Sequence, residues 1–174
     1  MSSPPKAVDD PETRSDRRWT WGLNGPQMTE KNAYGRFLDD VVAAFAEVSI
    51  PGLPALWFLM YQGQPFGITD LKLAALATWV AMVLGVAALR SGLLPTPGVG
   101  YDGWVPARPS LLLFRVPYYS LTIVLGGFLA GAVGTALEQP ALAVVAALLV
   151  AGGGLAAFPR VTESFEGWLA EWNP

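Results

Sequence analysis

Charged residues along the chain fall at intervals that leave long runs with none. From Val116 to Leu137 there are 22 consecutive uncharged residues, and from Ala141 to Phe158 another 18. Only Glu138-Gln139-Pro140 separates them, which leaves room for a tight turn. At ~1.5 Å of rise per residue the first run reaches about 33 Å, enough for a hydrocarbon core of ~30 Å. Neither run carries the polar stripe, at a period of about 3.6 residues, that a helix of a water-soluble bundle would show. The pair predicts two antiparallel membrane-crossing helices joined as a hairpin. Leu73 to Leu89 is a third run, 17 residues bracketed by Lys72 and Arg90, and long side chains at its ends can snorkel to extend it.

A fourth segment is mixed. Phe37, Leu38, Val41, Val42, Phe45 and Val48 recur at helical spacing, with Asp39, Asp40 and Glu47 on the opposite face. Thr29-Glu30 reads as its start, a hydroxyl cap followed by an acid. Pro51 and Pro54 each lack an amide donor and crowd the preceding turn, so a kink or break is expected. The segment is either one kinked crossing that carries Glu47, or a surface helix followed by a short re-entrant piece, with Glu47 at headgroup level. Charge chooses between them. Four crossings place 10 of the 11 Lys and Arg residues on one side and leave only Lys72 opposite, whereas three crossings split them seven against four. The tendency of cations to stay in the cytoplasm favours four crossings with both termini cytoplasmic.

The predicted fold class is an all-α integral membrane protein, multi-pass in the cell membrane, with four transmembrane helices over about 41–61, 71–89, 116–137 and 141–158. The first is kinked at Pro51 and Pro54. Residues 1–28 form a polar tail, expected to be disordered through about Asp16 because it has almost nothing apolar to bury. No apolar h-region or lipid-anchor motif opens it, so insertion is expected to use the internal spans. Arg17-Arg18-Trp19-Thr20-Trp21 pairs cations with indoles, which suits either the headgroup level, with Trp19 and Trp21 as interface anchors, or packing on the protein's own surface. The connection 90–115, with four prolines, is too broken for a regular helix. After Pro159-Arg160, residues 161–174 predict an amphipathic helix lying at the interface, with Val161, Phe165, Trp168, Leu169 and Trp172 on one face.

Composition then removes most chemistry. The chain has no cysteine and no histidine. That excludes thiolate zinc and iron–sulfur sites, histidine-ligated haem or copper, cysteine nucleophiles and Ser-His-Asp triads. No metal or other cofactor is expected. The net charge of -3 argues against a nucleic-acid partner, which would call for a basic patch. Gly98-Val99-Gly100-Tyr101-Asp102-Gly103 matches the dinucleotide fingerprint, but it lacks the preceding strand and following helix that make the motif work, so it reads as a loop.

Two sets of residues remain as candidates. An acid at the centre of a membrane helix costs roughly 2.5 to 3.5 kcal/mol, so Glu47 needs a partner, and Arg115 at the mouth of the third span is one, with Tyr61, Tyr118 and Tyr119 as further hydrogen-bonding groups. Four spans with a glutamate in the first resemble the small multidrug-resistance transporters, a resemblance that implies exchange of protons for drug cations at Glu47. It covers topology and one residue only. The chain is longer than that pattern and has a charged tail, a proline-broken first helix and a long middle connection, so the family is not assigned. Gly126, Gly127, Ala130, Gly131 and Gly134 give the third span a small-residue face for close helix packing, and Ala143, Ala147 and Ala151 do the same for the fourth. Such faces serve either internal packing or docking to another chain. The expected function is a non-catalytic accessory or structural subunit of a larger membrane complex, in contact with lipid and with a larger membrane-protein partner or further copies of itself. The alternative is a small oligomeric transporter or ion pathway using Glu47.

Overall fold

The computed structural model describes residues 19–21, 28–30, 33–94 and 109–172. It divides at Asp39 into a short N-terminal unit and a helical body. In the first, β1 (Trp19–Trp21) pairs antiparallel with β2 (Met28–Glu30), with Trp19 opposite Glu30. Thr29-Glu30 is thus a strand end rather than a helix start, and α1 begins at Ala33. A threonine flanked by a hydrophobic residue suits a pleated pair as well as a cap, and the Trp-Thr-Trp partner strand decides the choice. The first sixteen residues and the glycine motif at 98–103 lie outside the described residues.

The helices are α1 (Ala33–Tyr61), which belongs to the body from Asp40 onward, α2 (Leu71–Ser91), α3 (Pro109–Ala136) and α4 (Pro140–Trp172). All four contain stretches long and apolar enough to cross a membrane: Phe37–Tyr61, Leu71–Ser91, Leu113–Ala136 and Pro140–Phe165. The first stretch is a single helix through Pro51 and Pro54, and Glu47 lies within it.

Two elements run beyond the ends expected of them. α3 opens at Pro109 rather than near Val116, with proline at the first helical position, where its missing N–H would have no intrahelical partner. α4 continues through Pro159-Arg160 for 33 residues in all, instead of ending there and restarting. The two extensions support each other. Phe114, in the early turns of α3, stacks on Phe165, beyond the proline of α4, with ring centroids 4.6 Å apart. Pro159 is buried, and the Thr162 hydroxyl engages the carbonyls of Phe158 at 2.9 Å and Pro159 at 2.7 Å. Packing thus carries the helix across a residue that removes one of its own hydrogen bonds.

The helix ends show why the turns fall where they do. α2 stops at Gly92, whose φ of 77° is left-handed, while the Leu93 amide reaches back to the Ala88 carbonyl at 3.0 Å. The α3–α4 turn uses the same geometry, but with Glu138 at φ 52° in the left-handed position and the Gln139 amide on the Gly134 carbonyl at 2.9 Å. Pro140 then opens α4. In the core, Ala74, Ala130, Ala143 and Ala147 are fully buried in one cluster contributed by α2, α3 and α4.

Candidate functional site

α1 turns one narrow face inward: Asp40, Ala44, Val48, Ala55 and Leu59 are buried at intervals of four or seven residues. Near the start of that face the helix also directs Glu47 into the bundle. Helices that alternate in direction bring the early part of α1, the end of α2, the start of α3 and the later part of α4 to one level. Four charged side chains meet there.

Glu47 is the centre. Its Oε2 accepts a hydrogen bond from Arg90 Nη1 at 2.7 Å. Its Oε1 lies 3.1 Å from Arg115 Nη1 and also accepts from the Tyr119 hydroxyl at 3.2 Å. Arg90 Nε is in turn 3.7 Å from Asp40 Oδ1. The side chains of Glu47 and Arg115 are only 8% and 2% exposed, whereas Arg90 keeps 21%. Two carboxylates and two guanidiniums sum to zero, so the cluster holds no uncompensated charge of its own. That balance matters because desolvating a single ion costs several kcal/mol, which only close pairing and hydrogen bonding can offset. The Arg115 guanidinium also stands over the Phe158 ring of α4, 5.8 Å from its centroid. The cluster and its aromatic floor therefore join all four helices.

Of the groups singled out from sequence, Glu47 and Arg115 are brought into contact. Tyr119 bonds to Glu47, while Tyr118 donates to the Gly154 carbonyl at 2.6 Å and Tyr61 is exposed at the opposite end. Asp39 is exposed and Asp40 buried, so these neighbours do not form a carboxylate pair. Arg90 was missed, because a cation closing an apolar run reads as a snorkelling end residue. The signal lay in antiparallel register: a helix ending at 61 and another beginning at 71 place the last turn of α2 beside the early turns of α1.

The small residues of α3 each meet a different neighbour. A Cβ on Gly126 would strike Thr78 of α2, and one on Gly127 would sit 3.1 Å from Leu59 of α1. On Gly131 it would lie 3.0 Å from the Leu71 Cα, and on Gly134 it would lie 2.5 Å from the Ala143 Cβ of α4. Ala130 is fully buried. These contacts are internal to the bundle. Phe165 is half-buried on Phe114, and Trp168 is exposed with its ring 6.2 Å from Phe165. The side chains of Trp19, Trp21 and Trp172 lie outside the described residues.

The chemistry open to the cluster is limited by the engagement of its central carboxylate. A carrier carboxylate must release its partners to take up a proton or cation, and Glu47 has both oxygens engaged by cations held in separate helices. The arrangement is suited to fastening helices together.

No curated protein and no solved structure matches the chain. A family model matches residues 31–165, and the chain belongs to that family, described as a domain of unknown function (DUF8215). The match spans the four apolar stretches and the whole charge cluster.

Proposed function

We propose that this chain is a four-span integral protein of the cell membrane, with both ends of the bundle's chain on the cytoplasmic side, that serves as a non-catalytic accessory or structural subunit of a larger membrane complex. The observation that carries this reading is the engagement of both Glu47 oxygens by two arginines and a tyrosine, which fits a holding role better than a carrying one. The membrane part draws support from the surface. Val42, Ile50, Leu53, Trp57, Leu129 and Leu149 are all more than half exposed, an apolar area that water would not tolerate and lipid would. On this reading α1 crosses with a bend at Pro51 and Pro54, and α4 continues past the hydrocarbon core as an amphipathic, aromatic-bearing extension, since its 33 residues at ~1.5 Å each exceed a ~30 Å core.

The test is purification from the native membrane in a mild detergent, with identification of every chain that accompanies this one. A stoichiometric, larger partner is expected. A homogeneous homo-oligomer carrying no other chain would overturn the accessory role and turn attention to Glu47→Gln in a flux assay.

A further inference from the structure

The link between α1 and α2 contains a residue whose conformation the chain itself does not reward. After Tyr61 the chain turns through Gln62, Gly63 and Gln64 into a short 3-10 turn, Pro65–Gly67. Phe66 there has φ 55° and ψ 22°, the left-handed region, which a bulky side chain rarely occupies. The residue is 94% exposed, so no packing within the protein offsets the strain. The backbone nevertheless holds it there: the Gly67 amide bonds to the Gln64 carbonyl at 3.0 Å and the Ile68 amide to the Pro65 carbonyl at 3.1 Å. Ile68, buried against Gly131, ties the tip to α3. The ring is thus presented outward by a braced turn.

We propose that Phe66 is a membrane-interface anchor, seated at the boundary between lipid headgroups and acyl chains where α1 ends. Its surroundings have the character of that level. The last turns of α1 expose Trp57, Phe58 and Tyr61, and the flanking link is polar, with Gln62, Gln64 and Thr69, followed by Lys72 in the first turn of α2. Trp57 and Tyr61 are amphipathic rings of the kind that collect at this depth. A wholly apolar ring such as Phe66 beside them sits on the acyl-chain side of the boundary while its polar neighbours face the headgroups. Continuity with the exposed apolar face of α1 identifies lipid as the occupant. A single ring among polar neighbours is far too small for a stable protein interface, which buries on the order of 1,200 Å² or more. Strain retained without internal compensation is the mark of a contact made outside the chain.

This inference rests on the membrane reading above, and one experiment separates their failures. With no native cysteine among the described residues or elsewhere in the chain, Phe66→Cys, Gln64→Cys and Leu149→Cys each offer a single labelling site. The full chain is labelled with a nitroxide, reconstituted in phosphatidylcholine–phosphatidylglycerol vesicles, and tested for collision with oxygen, which partitions into lipid, and with a water-soluble nickel chelate. Position 66 is expected to favour oxygen several-fold more than position 64, and less than position 149. Equal, water-like behaviour at 66 and 64 with 149 in lipid would overturn the anchor alone. Shielding of 66 from both reagents would overturn it in favour of a protein contact. Nickel access at 149 would overturn the membrane reading itself.

Discussion

The two ends of the bundle hold their helices together by opposite means. At one end, Asp40, Glu47, Arg90, Arg115 and Tyr119 fill the space between helices with long side chains and bond through their tips. At the other, Gly127, Gly131 and Gly134 remove side chains altogether, so that α3 lies against Leu59, the Leu71 backbone and Ala143. Each solution excludes the other locally: a buried arginine needs the room that glycine abolishes. On the membrane reading proposed above, burial of apolar surface gives helices little reason to associate, so either polar bonds or close van der Waals contact must supply it. The glycine end has a small polar closure of its own, where Thr135 Oγ1 receives the Thr69 amide at 3.0 Å and the Asp70 amide at 3.3 Å.

The largest effect is expected from breaking the charged end. Arg115→Ala leaves Glu47 buried with less compensation, and should destabilise the bundle by about 3–5 kcal/mol, read by reversible unfolding in detergent or bicelles. Combining it with Glu47→Gln should cost less than the sum of the single changes, with a coupling of about 0.5–3 kcal/mol. Strict additivity would mean that the two residues do not act as a pair. Overfilling the other end should cost somewhat less. Gly134→Val places a branched side chain where even a Cβ would lie 2.5 Å from Ala143. Overpacking of this kind costs roughly 1–3 kcal/mol. Gly153→Ala, on α4 with open space around it, is the control and should lose nothing measurable in the same assay. The smallest change sharpens the comparison. Thr135→Val keeps the shape but removes the acceptor for two amides, for a loss of about 1 kcal/mol. A loss as large as that of Arg115→Ala would mean that polar bonding dominates both ends.

The parts of the fold that were legible in sequence are those set by charge spacing. The α3–α4 hairpin could be read because 22 and 18 uncharged residues flank a three-residue break. The beginnings and ends were harder. Pro109 and Pro159 read as interruptions because proline deletes a hydrogen bond whatever its neighbours, yet α3 opens at the first and α4 runs through the second, with Phe114 and Phe165, 51 positions apart, stacked between the two extensions. Thr29-Glu30 fitted a helix cap locally, and only pairing with Trp19–Trp21 made it a strand. In the candidate site, Glu47 was conspicuous because a lone acid in an apolar helix is costly, and Arg115 because it stood near the opposite apolar run. Arg90 was hidden by an ordinary role at a helix end. The glycines of α3 advertised close approach but not to whom, since a small side chain records only that something is near.

By itself, then, the order of residues determined how many apolar helices there are, roughly where each lies, and which chemistries are closed for want of cysteine and histidine. Those properties depend on each segment's own hydropathy and on the presence or absence of particular atoms. The tertiary structure decided the rest: that α3 reaches back to Pro109 and α4 continues past Pro159, that Glu47 has two arginine partners, and that α3's small face is used within the bundle. Each of these rests on contacts between residues far apart in the chain, whose energies appear only once the helices are side by side.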